Sequence, residues 1–302
     1  MIRQKVRFVS GGTECIAWHY PGTNGACVVM AGGFAVPKEP ATDMFAARFH
    51  EVGYAVLAFD YRGLGESGGE PCLVLPIKHQ LADWQAAIDF ARTLPDVDPA
   101  RVAIWGFSTS GGHLFPVAVR NPELAAVIAQ TPTASGLAST RNALRYQKAR
   151  AMLRFTGRSL VDALGSLVGR QPRLVPLVGR PGSVAMLTTP DAQDGALALD
   201  AGSHPDWQQA VAARSALRLT FYRPGRYAVR VRSPLLVVVC DDDATTPAQL
   251  TIAAVRGAPR AEVVRLPGGH YEPFLGGHER AVDAELSFLR EHVLDRVAAL
   301  DL

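Results

Sequence analysis

The residues with the clearest chemical potential surround Ser108, in the stretch V-A-I-W-G-F-S-T-S-G-G at 102–112. Residues 102–105 have the apolar character of a strand, and an apolar helical pattern follows the glycine pair. A strand that turns sharply into a helix at a serine is typical of a nucleophile elbow. The last position of the usual G-x-S-x-G pattern is Ser110 here, but two glycines follow it at once. We therefore predict that Ser108 is a nucleophile.

A serine hydroxyl needs a base at neutral pH, and the base needs an orienting acid. His270 lies in a glycine-rich loop directly after the last predicted strand, so it is expected at the same sheet edge as Ser108. The alternative for His270 is an ordinary surface histidine. His113 follows Ser108 by five residues on the same predicted helix, and we interpret it as a packing or pocket residue rather than the base.

The acid is sought among three consecutive aspartates, Asp241, Asp242 and Asp243, which follow another predicted strand. Three adjacent carboxylates cannot all be buried and charged, so most of them must be solvated or paired. Asp243 is the predicted acid, and it stands four residues before Pro247, where the next helix begins. Strand-end capping or solvation is the expected state of the other two.

An acyl-transfer site also needs two backbone N–H groups that bind a developing oxyanion. Thr109 follows the nucleophile at the start of a helix, where negative charge is favoured, and supplies one of these groups. Phe34, in the loop after the strand at 26–31, is the best candidate for the second. A plain glycine turn at 32–33 is the alternative interpretation of that loop.

With these motifs the chain resembles an α/β-hydrolase, and more narrowly the bacterial serine esterase branch related to the dienelactone-hydrolase and X-Pro-peptidase groups. The resemblance covers almost the whole length and implies a Ser–Asp–His triad in that chain order, an acyl-enzyme mechanism, no cofactor and a lid over the pocket. Many relatives have His-Gly before the oxyanion loop, where Ala31 and Gly32 stand here. The matching stretches are G-G-F-A-V-P-K-E at 32–39, D-Y-R-G-L-G-E-S at 60–67, W-G-F-S-T-S-G-G-H at 105–113, D-D-A-T-T-P at 242–247 and P-G-G-H at 267–270.

The elements that must position these residues alternate between short apolar strands and helices, which predicts an α/β fold. We expect the α/β-hydrolase fold: a mostly parallel eight-stranded sheet flanked by helices, with an antiparallel pair at 4–9 and 13–20. The alternation stops after Pro132 and resumes at Pro234. Further expected strands are 26–31, 55–60, 102–105, 125–130, 234–240 and 261–266, and expected helices are 42–51, 77–94, one that follows the elbow and ends near 120, one from 247 and one at 278–300.

This interruption predicts a hydrolase core at 1–133 and 231–302, with a helical cap, or lid, inserted at 134–230. The cap is expected to lie over Ser108 with its apolar side lining the pocket, and to have a loop-like centre at 160–187. Its apolar residues favour an apolar acyl group. The named set is Leu160, Val161, Leu164, Leu167, Val168, Leu174, Val175 and Leu177.

Composition excludes several classes of protein. With 48% apolar and 20% charged residues the chain is typical of a globular protein, and a net charge of +3 gives no argument for nucleic acid. Residues 141–232 contain 15 Lys or Arg against 5 Asp or Glu, and the remainder of the chain is net acidic. No apolar run is long enough to span a membrane, and no signal core is visible at the N-terminus. A reducing cytoplasm fits four cysteines without metal or redox spacing.

We interpret the protein as a serine hydrolase that cleaves a carboxylic ester or thioester. An acyltransferase or cyclase, or an amide or C–C bond hydrolase, is the enzymatic alternative on the same three residues, and a non-catalytic binding module is the alternative of another class. No cofactor or metal is expected, since the sequence contains no ligand cluster. The expected partner is a small acyl substrate, free or carrier-bound; the arginines of 141–232 either solvate the cap or bind an acidic partner. A homodimer is compatible with the sequence.

Overall fold

The computed structural model describes residues 3–295, and its centre is one large β-sheet. The strands of this sheet are β1 Gln4–Ser10, β2 Thr13–Tyr20, β3 Cys27–Ala31, β4 Ala55–Phe59, β5 Val102–Phe107, β6 Ala126–Gln130, β9 Leu235–Cys240 and β10 Ala261–Leu266, and a separate ribbon pairs β7 Leu174–Pro176 with β8 Ala210–Ala212. The helices are α1 Lys38–Glu51, α2 Ile77–Ala91, α3 Thr109–Arg120, α4 Gly136–Ala143, α5 Ala149–Ser166, α6 Gly195–Ala198, α7 Ala213–Thr220, α8 Ala248–Val255 and α9 His278–Leu289.

The eight strands of the sheet follow the order β1-β2-β4-β3-β5-β6-β9-β10. The pairs β1–β2 and β2–β4 are antiparallel, and every other neighbouring pair is parallel. This confirms the predicted α/β fold with a mostly parallel eight-stranded sheet. The predicted antiparallel pair near the N-terminus is also present.

The central strands are buried on both faces. Every residue of β3, β4, β5, β6 and β9 is buried, as continuous apolar runs in covered parallel sheets usually are. Helices α1 and α9 contact each other as well as the sheet, and so do α2 and α3. The free thiols of Cys27 and Cys240 lie within this core.

The parallel strands bring their carboxyl ends to one edge of the sheet, which is where ligands bind in open α/β sheets. At this edge β3 leads into the loop that contains Phe34, β5 leads into Ser108, β9 leads into Asp243, and β10 leads into His270. Neighbouring register pairs such as Phe107 with Gln130 keep these ends level. The five sequence-predicted site residues therefore follow the carboxyl ends of four strands that lie close together in the sheet.

Residues 134–230 lie between β6 and β9, and we call them the inserted segment. The sequence predicts a helical segment with a loop-like centre here, and the structure differs from that prediction. Helix α5 continues through Ser166, so the first part of the expected loop at 160–187 is helical. The ribbon of β7 and β8 is absent from the prediction, because its strands are three residues each and pair across a long stretch of chain. Short non-local pairings of this kind leave no periodic pattern in sequence.

Other differences concern the ends of helices. Helix α1 begins at Lys38 rather than at residue 42, α2 ends at Ala91 rather than at 94, and α8 begins one residue after Pro247. After α9 the chain continues as a π-helical turn at Arg290–Leu294. The last residues of the predicted helix 278–300 lie outside the described part of the chain.

Candidate active site

Ser108 occupies a sharp turn between β5 and α3. Its backbone φ is 58° and ψ is −119°, a conformation that a residue with a side chain rarely adopts. The amide of Ser108 donates to the carbonyl of Gln130 at 2.9 Å, and its carbonyl accepts from the amide of Thr133 at 3.0 Å. Both partners lie at the end of β6 or just beyond it, so the neighbouring strand stabilises the strained turn.

Glycines beside the turn allow β5 and α3 to approach each other closely. A Cβ atom on Gly106 would lie 2.9 Å from the backbone of Ser110, and one on Gly111 would lie 2.8 Å from the carbonyl oxygen of Gly106. Ser110 is buried, and its hydroxyl forms a hydrogen bond with the buried phenol of Tyr61. This contact explains how serine is accommodated where the usual pattern has glycine.

Three sequence-predicted residues form one hydrogen-bonded chain. His270 Nε2 lies 2.9 Å from Ser108 Oγ, and His270 Nδ1 lies 2.8 Å from Asp243 Oδ2. The carboxylate of Asp243 also accepts from the amide of Thr246 at 2.5 Å and from its hydroxyl at 2.8 Å. In this arrangement a ring nitrogen can take the serine proton while the carboxylate stabilises the resulting imidazolium.

The other two aspartates lie apart from this chain. Asp241 is exposed and forms an ion pair with Arg265 at 2.7 Å, and Asp242 is exposed as well. Asp243, in contrast, is 6% exposed. Of the three adjacent carboxylates, the structure brings one to the histidine and leaves two in solvent.

The pKa of His270 reflects opposing influences. Burial favours the neutral ring and lowers the pKa, but the charge and hydrogen bond of Asp243, together with the charge of Asp191, raise it further than burial lowers it. The net pKa is therefore raised above its ordinary value. Because His270 can act as a base only when its ring is neutral, the raised pKa moves this availability towards higher pH.

His113, the alternative histidine near the nucleophile, is held away from it. Its Nδ1 lies 2.9 Å from the hydroxyl of Tyr222, and its Nε2 lies 3.1 Å from the amide oxygen of Gln80. Burial lowers the pKa of His113 to about 3, so the ring is neutral at physiological pH. His113 packs behind the elbow, between α2 and the end of the inserted segment.

Two backbone N–H groups border the same cavity as Ser108. Thr109 is the first residue of α3, and a backbone N–H group at this position has no acceptor within the helix. Phe34 lies in the turn after β3, and among residues 3–295 its N–H finds no hydrogen-bond acceptor. Gly33 keeps this turn close to the elbow, since a Cβ atom there would lie 3.3 Å from Ser108 Cβ. Both residues line the cavity beside Ser108, which is the side of the nucleophile where an oxyanion hole would need its N–H donors.

A buried ionic cluster that the sequence analysis missed holds the Phe34 turn in place. Lys38 is fully buried, and its ammonium group lies 2.7 Å from Asp60 and 2.8 Å from Glu66. The amide of Lys38 also donates to Asp60 at 2.8 Å. Burial lowers the pKa of Lys38, but the surrounding carboxylates raise it to a net value above the ordinary one. Two stretches quoted for the resemblance, at 32–39 and 60–67, contain these residues, but neither stretch by itself shows that they pair.

The cavity beside Ser108 has a volume of about 340 Å³ and a wall without charged side chains. Core residues such as Phe34 and Phe107 form its floor, and the inserted segment supplies the opposite wall. That wall consists of apolar and hydroxyl side chains of α4, α5, α7 and the stretch 185–189. Its larger members are Met152, Phe155, Leu177, Met186, Leu187, Leu217, Leu219 and Phe221.

The apolar residues that the sequence analysis assigned to this wall lie mostly elsewhere. Of the eight named, Leu177 lines the cavity and Val175 is buried, whereas the other six are exposed. Helix α5 shows the reason: Met152 and Phe155 face the cavity, whereas the residues named in the last turns of the helix and just after it are exposed. Periodicity identifies an apolar side of a helix but not the direction in which it points. The exposed six are Leu160, Val161, Leu164, Leu167, Val168 and Leu174.

Comparison with known proteins agrees with this architecture. The profile of the Alpha/beta hydrolase family matches residues 21–284, and the chain belongs to that family. The quorum-quenching protein AidA of Acinetobacter baumannii is 40% identical over 95% of this chain and 94% of its own. The prediction of an α/β-hydrolase enzyme is confirmed at this level.

Two fungal relatives are more distant. The thiohydrolase aneE of Aspergillus aculeatus is 30% identical over 53% of this chain and 49% of its own. The polyketide transferase grgF of a Penicillium species is 28% identical over 60% of each chain. The crystal structure of GrgF superposes with a TM-score of 0.79 at 21% identity, covering 97% of this chain and 99% of that one, which shows a shared fold.

Residues 3–295 lack two other kinds of feature. No helix there has the length and apolar character needed to cross a bilayer. Nor does this part of the chain contain a group of three or more His, Cys, Asp or Glu side chains arranged to hold a metal ion.

Proposed function

We propose that this protein is a serine hydrolase that cleaves a carboxylic ester or thioester with an apolar acyl group. One observation carries the proposal: the hydrogen-bonded chain from Ser108 through His270 to Asp243 opens into a cavity whose wall is uncharged and consists of apolar and hydroxyl side chains. The relative called a thiohydrolase supports the same reaction class. The narrower likeness to the bacterial branch of dienelactone hydrolases and X-Pro peptidases stays a prediction.

In the proposed reaction, Ser108 Oγ attacks the acyl carbonyl while His270 Nε2 accepts its proton. Asp243 holds the ring and stabilises its charge, and the N–H groups of Phe34 and Thr109 bind the oxyanion. The imidazolium of His270 then donates its proton to the leaving alcohol or thiol, which departs. Water attacks the acyl-enzyme with His270 again as base, and the acid is released. The scheme uses no metal or cofactor.

In this proposal residues 1–133 and 231–302 form the hydrolase core, and residues 134–230 form a cap that selects the acyl group. The cavity lies between the two, so an acyl chain attached to Ser108 would contact α5 and α7. The uncharged wall excludes acidic or basic acyl groups, because an unpaired charge there would be desolvated. We expect the substrate to be a small molecule, free or carrier-bound, and the reducing cytoplasm to be its compartment.

A second candidate is acyl transfer, in which an alcohol, amine or thiol replaces water. The relative called a polyketide transferase favours it. Both reactions share the acyl-enzyme and differ only in the acceptor. Product analysis with and without an added alcohol therefore separates them.

Labelling with a fluorophosphonate probe tests the proposal most directly. We expect one covalent adduct, located at Ser108 by mass spectrometry and absent from Ser108→Ala. A panel of esters, thioesters and lactones with matched apolar acyl chains is then assayed for release of the free acid. We expect hydrolysis on this panel with unchanged rates in EDTA. An unlabelled Ser108 in folded protein would favour a non-catalytic binding module, and transfer to alcohol without free acid would favour the second candidate.

A further inference from the structure

A second buried carboxylate, from the inserted segment, lies beside the loops of the proposed acid and base. Asp191 belongs to the 3-10 turn Pro190–Asp194 and is 8% exposed. Its Oδ2 accepts from the amides of Ala244 at 2.8 Å, Thr245 at 3.2 Å and His270 at 3.2 Å. Its Oδ1 accepts from the hydroxyl of Thr245 at 3.0 Å. One side chain thus joins the loop after β9 to the loop after β10.

The turn that contains Asp191 packs closely against the loop that contains His270. A Cβ atom on Gly269 would lie 2.8 Å from Asp191 Cβ, so the histidine loop approaches the turn as closely as a glycine permits. The hydroxyls of Thr189 and Thr245 meet 2.6 Å apart next to the carboxylate. A side chain on residue 269 or a shift of the turn would separate these surfaces.

Asp191 is in its charged form at neutral pH. Burial raises the pKa of this carboxyl group, but the nearby His270 and the hydrogen bonds from Thr189, Ala244 and Thr245 lower it to a net value below the ordinary one. A buried carboxylate is costly unless its oxygens are satisfied, and hydrogen bonds to an ionised acceptor are the stronger kind. The four donors on the two loops satisfy the carboxylate of Asp191. Moving the loops apart would break hydrogen bonds to a buried charge, so the charged form of Asp191 holds the two loops together.

We propose that Asp191 is a positioning residue that fixes the spacing between Asp243 and His270. Asp191 accepts a hydrogen bond from the backbone amide of His270 and not from its ring. It therefore takes no part in proton transfer, and the orientation of the ring is left to Asp243. The inserted segment thereby takes part in assembling the site as well as forming its wall. The inference rests on the proposed function, because it assigns Asp191 a role in that reaction.

The test compares Asp191→Asn and Asp191→Ala with Asp194→Asn. Asp194 lies in the same turn but is exposed, so its variant removes an equal charge without touching either loop. Rates are normalised to the amount of Ser108 that the fluorophosphonate probe labels, so that unfolded protein does not enter the comparison. We expect kcat to fall about 10²-fold in both Asp191 variants, as misplacement of reacting groups by an ångström does, with KM little changed and Asp194→Asn at the wild-type rate.

A pH profile separates positioning by a charged group from a general loss of structure. The charged or titratable groups that face His270 are Asp243, Asp191, the Ser108 hydroxyl and the buried phenol of Tyr271. Without the negative charge of Asp191 the imidazolium of His270 is less stable. The apparent pKa of His270 in the profile of kcat/KM should therefore be lower in Asp191→Asn than in the wild type. A purely structural defect would scale the whole profile without moving its midpoint.

Each outcome bears on one proposal or the other. If the wild-type protein neither hydrolyses the panel nor labels at Ser108, the proposed function fails. If the wild type is active and both Asp191 variants match Asp194→Asn, the inference about Asp191 is wrong. Should neither Asp191 variant fold, Thr245→Val removes one donor to Asp191 and is expected to lower kcat several-fold; an unchanged kcat in that variant would equally overturn the inference.

Discussion

The sheet core and the inserted segment at 134–230 contribute different things to one site. The core places Ser108, Asp243 and His270 on three strand ends, and every residue of the two central strands that carry the first two is buried. The inserted segment supplies a cavity wall and one buried carboxylate, Asp191. The core therefore contributes the hydrogen-bonded side chains from buried strands, and the inserted segment contributes most of the wall that faces them.

Charge divides the same two regions. The inserted segment is net basic and the remainder of the chain is net acidic, yet the arginines at 141, 145, 150, 154, 158, 170 and 173 are exposed, and among residues 3–295 no charged side chain lines the cavity. This exposure fits both interpretations of the arginines, solvation of the cap and binding of an acidic partner, and both stay predictions. The apolar residues on the outer side of α5 lie among these arginines. The composition of a segment therefore says little about the wall that it presents to a ligand.

The largest effect expected in the core is that of Ser108→Ala. Loss of the nucleophile should lower kcat by about 10⁶-fold with the thermal unfolding midpoint little changed, because the elbow is held by backbone hydrogen bonds. Ester hydrolysis and melting curves check this. Ser110→Ala is the matched variant, and its hydroxyl contacts Tyr61 rather than the cavity. If Ser110→Ala were inactive and Ser108→Ala active, the assignment of the nucleophile would be reversed.

Next in size is Asp243→Asn, expected to lower kcat by about 10⁴-fold. The amide cannot stabilise the imidazolium and favours the wrong tautomer of His270. Asp241→Asn and Asp242→Asn serve as controls, since both carboxylates are exposed, and each should stay close to wild type. Steady-state rates on one ester decide between them. Equal losses in all three variants would mean that the aspartates act through their summed charge and not through one hydrogen bond.

The core and the inserted segment act together on the pH dependence. His270 accepts a proton only when neutral, so kcat/KM should rise about tenfold per pH unit below an apparent pKa and level off above it. The pKa of His270 is raised by Asp243 and Asp191, which places this midpoint above the ordinary histidine value of about 6.5. A pH–rate profile of the wild type measures it. A rate that fell with rising pH through neutrality would contradict the role of His270 as base.

The smallest effects are expected on the two sides of α5. Phe155 lines the cavity, whereas Leu153 on the same helix is 75% exposed. Phe155→Ala should lower kcat/KM roughly tenfold for the preferred acyl chain and shift preference towards longer chains, since it enlarges the cavity. Leu153→Ala should leave the chain-length profile unchanged. A series of esters of increasing acyl length measures both, and a response from Leu153→Ala alone would mean that substrate contacts the outer side of the helix.

The sequence by itself determined the sheet and the three residues at its edge. Ser108, Asp243 and His270 each follow a short apolar strand, and parallel strands bring their carboxyl ends together, so local patterns were enough to predict that they lie close to one another. The choice of Asp243 among three adjacent aspartates rested instead on its spacing to Pro247, as the family resemblance implies. Motifs within a single strand–turn–helix unit need no long-range information.

Only the tertiary structure decided what depends on contacts between distant segments. Asp191 meets the loops at 244 and 270, Lys38 meets Asp60, and β7 pairs with β8, and none of these pairings leaves a periodic pattern in the chain. The direction of α5 belongs to the same group, since its apolar residues lie on two sides and packing alone selects the side that faces the cavity. Sequence periodicity records which residues share a face of a helix, but the neighbour that the face meets is set by the rest of the fold.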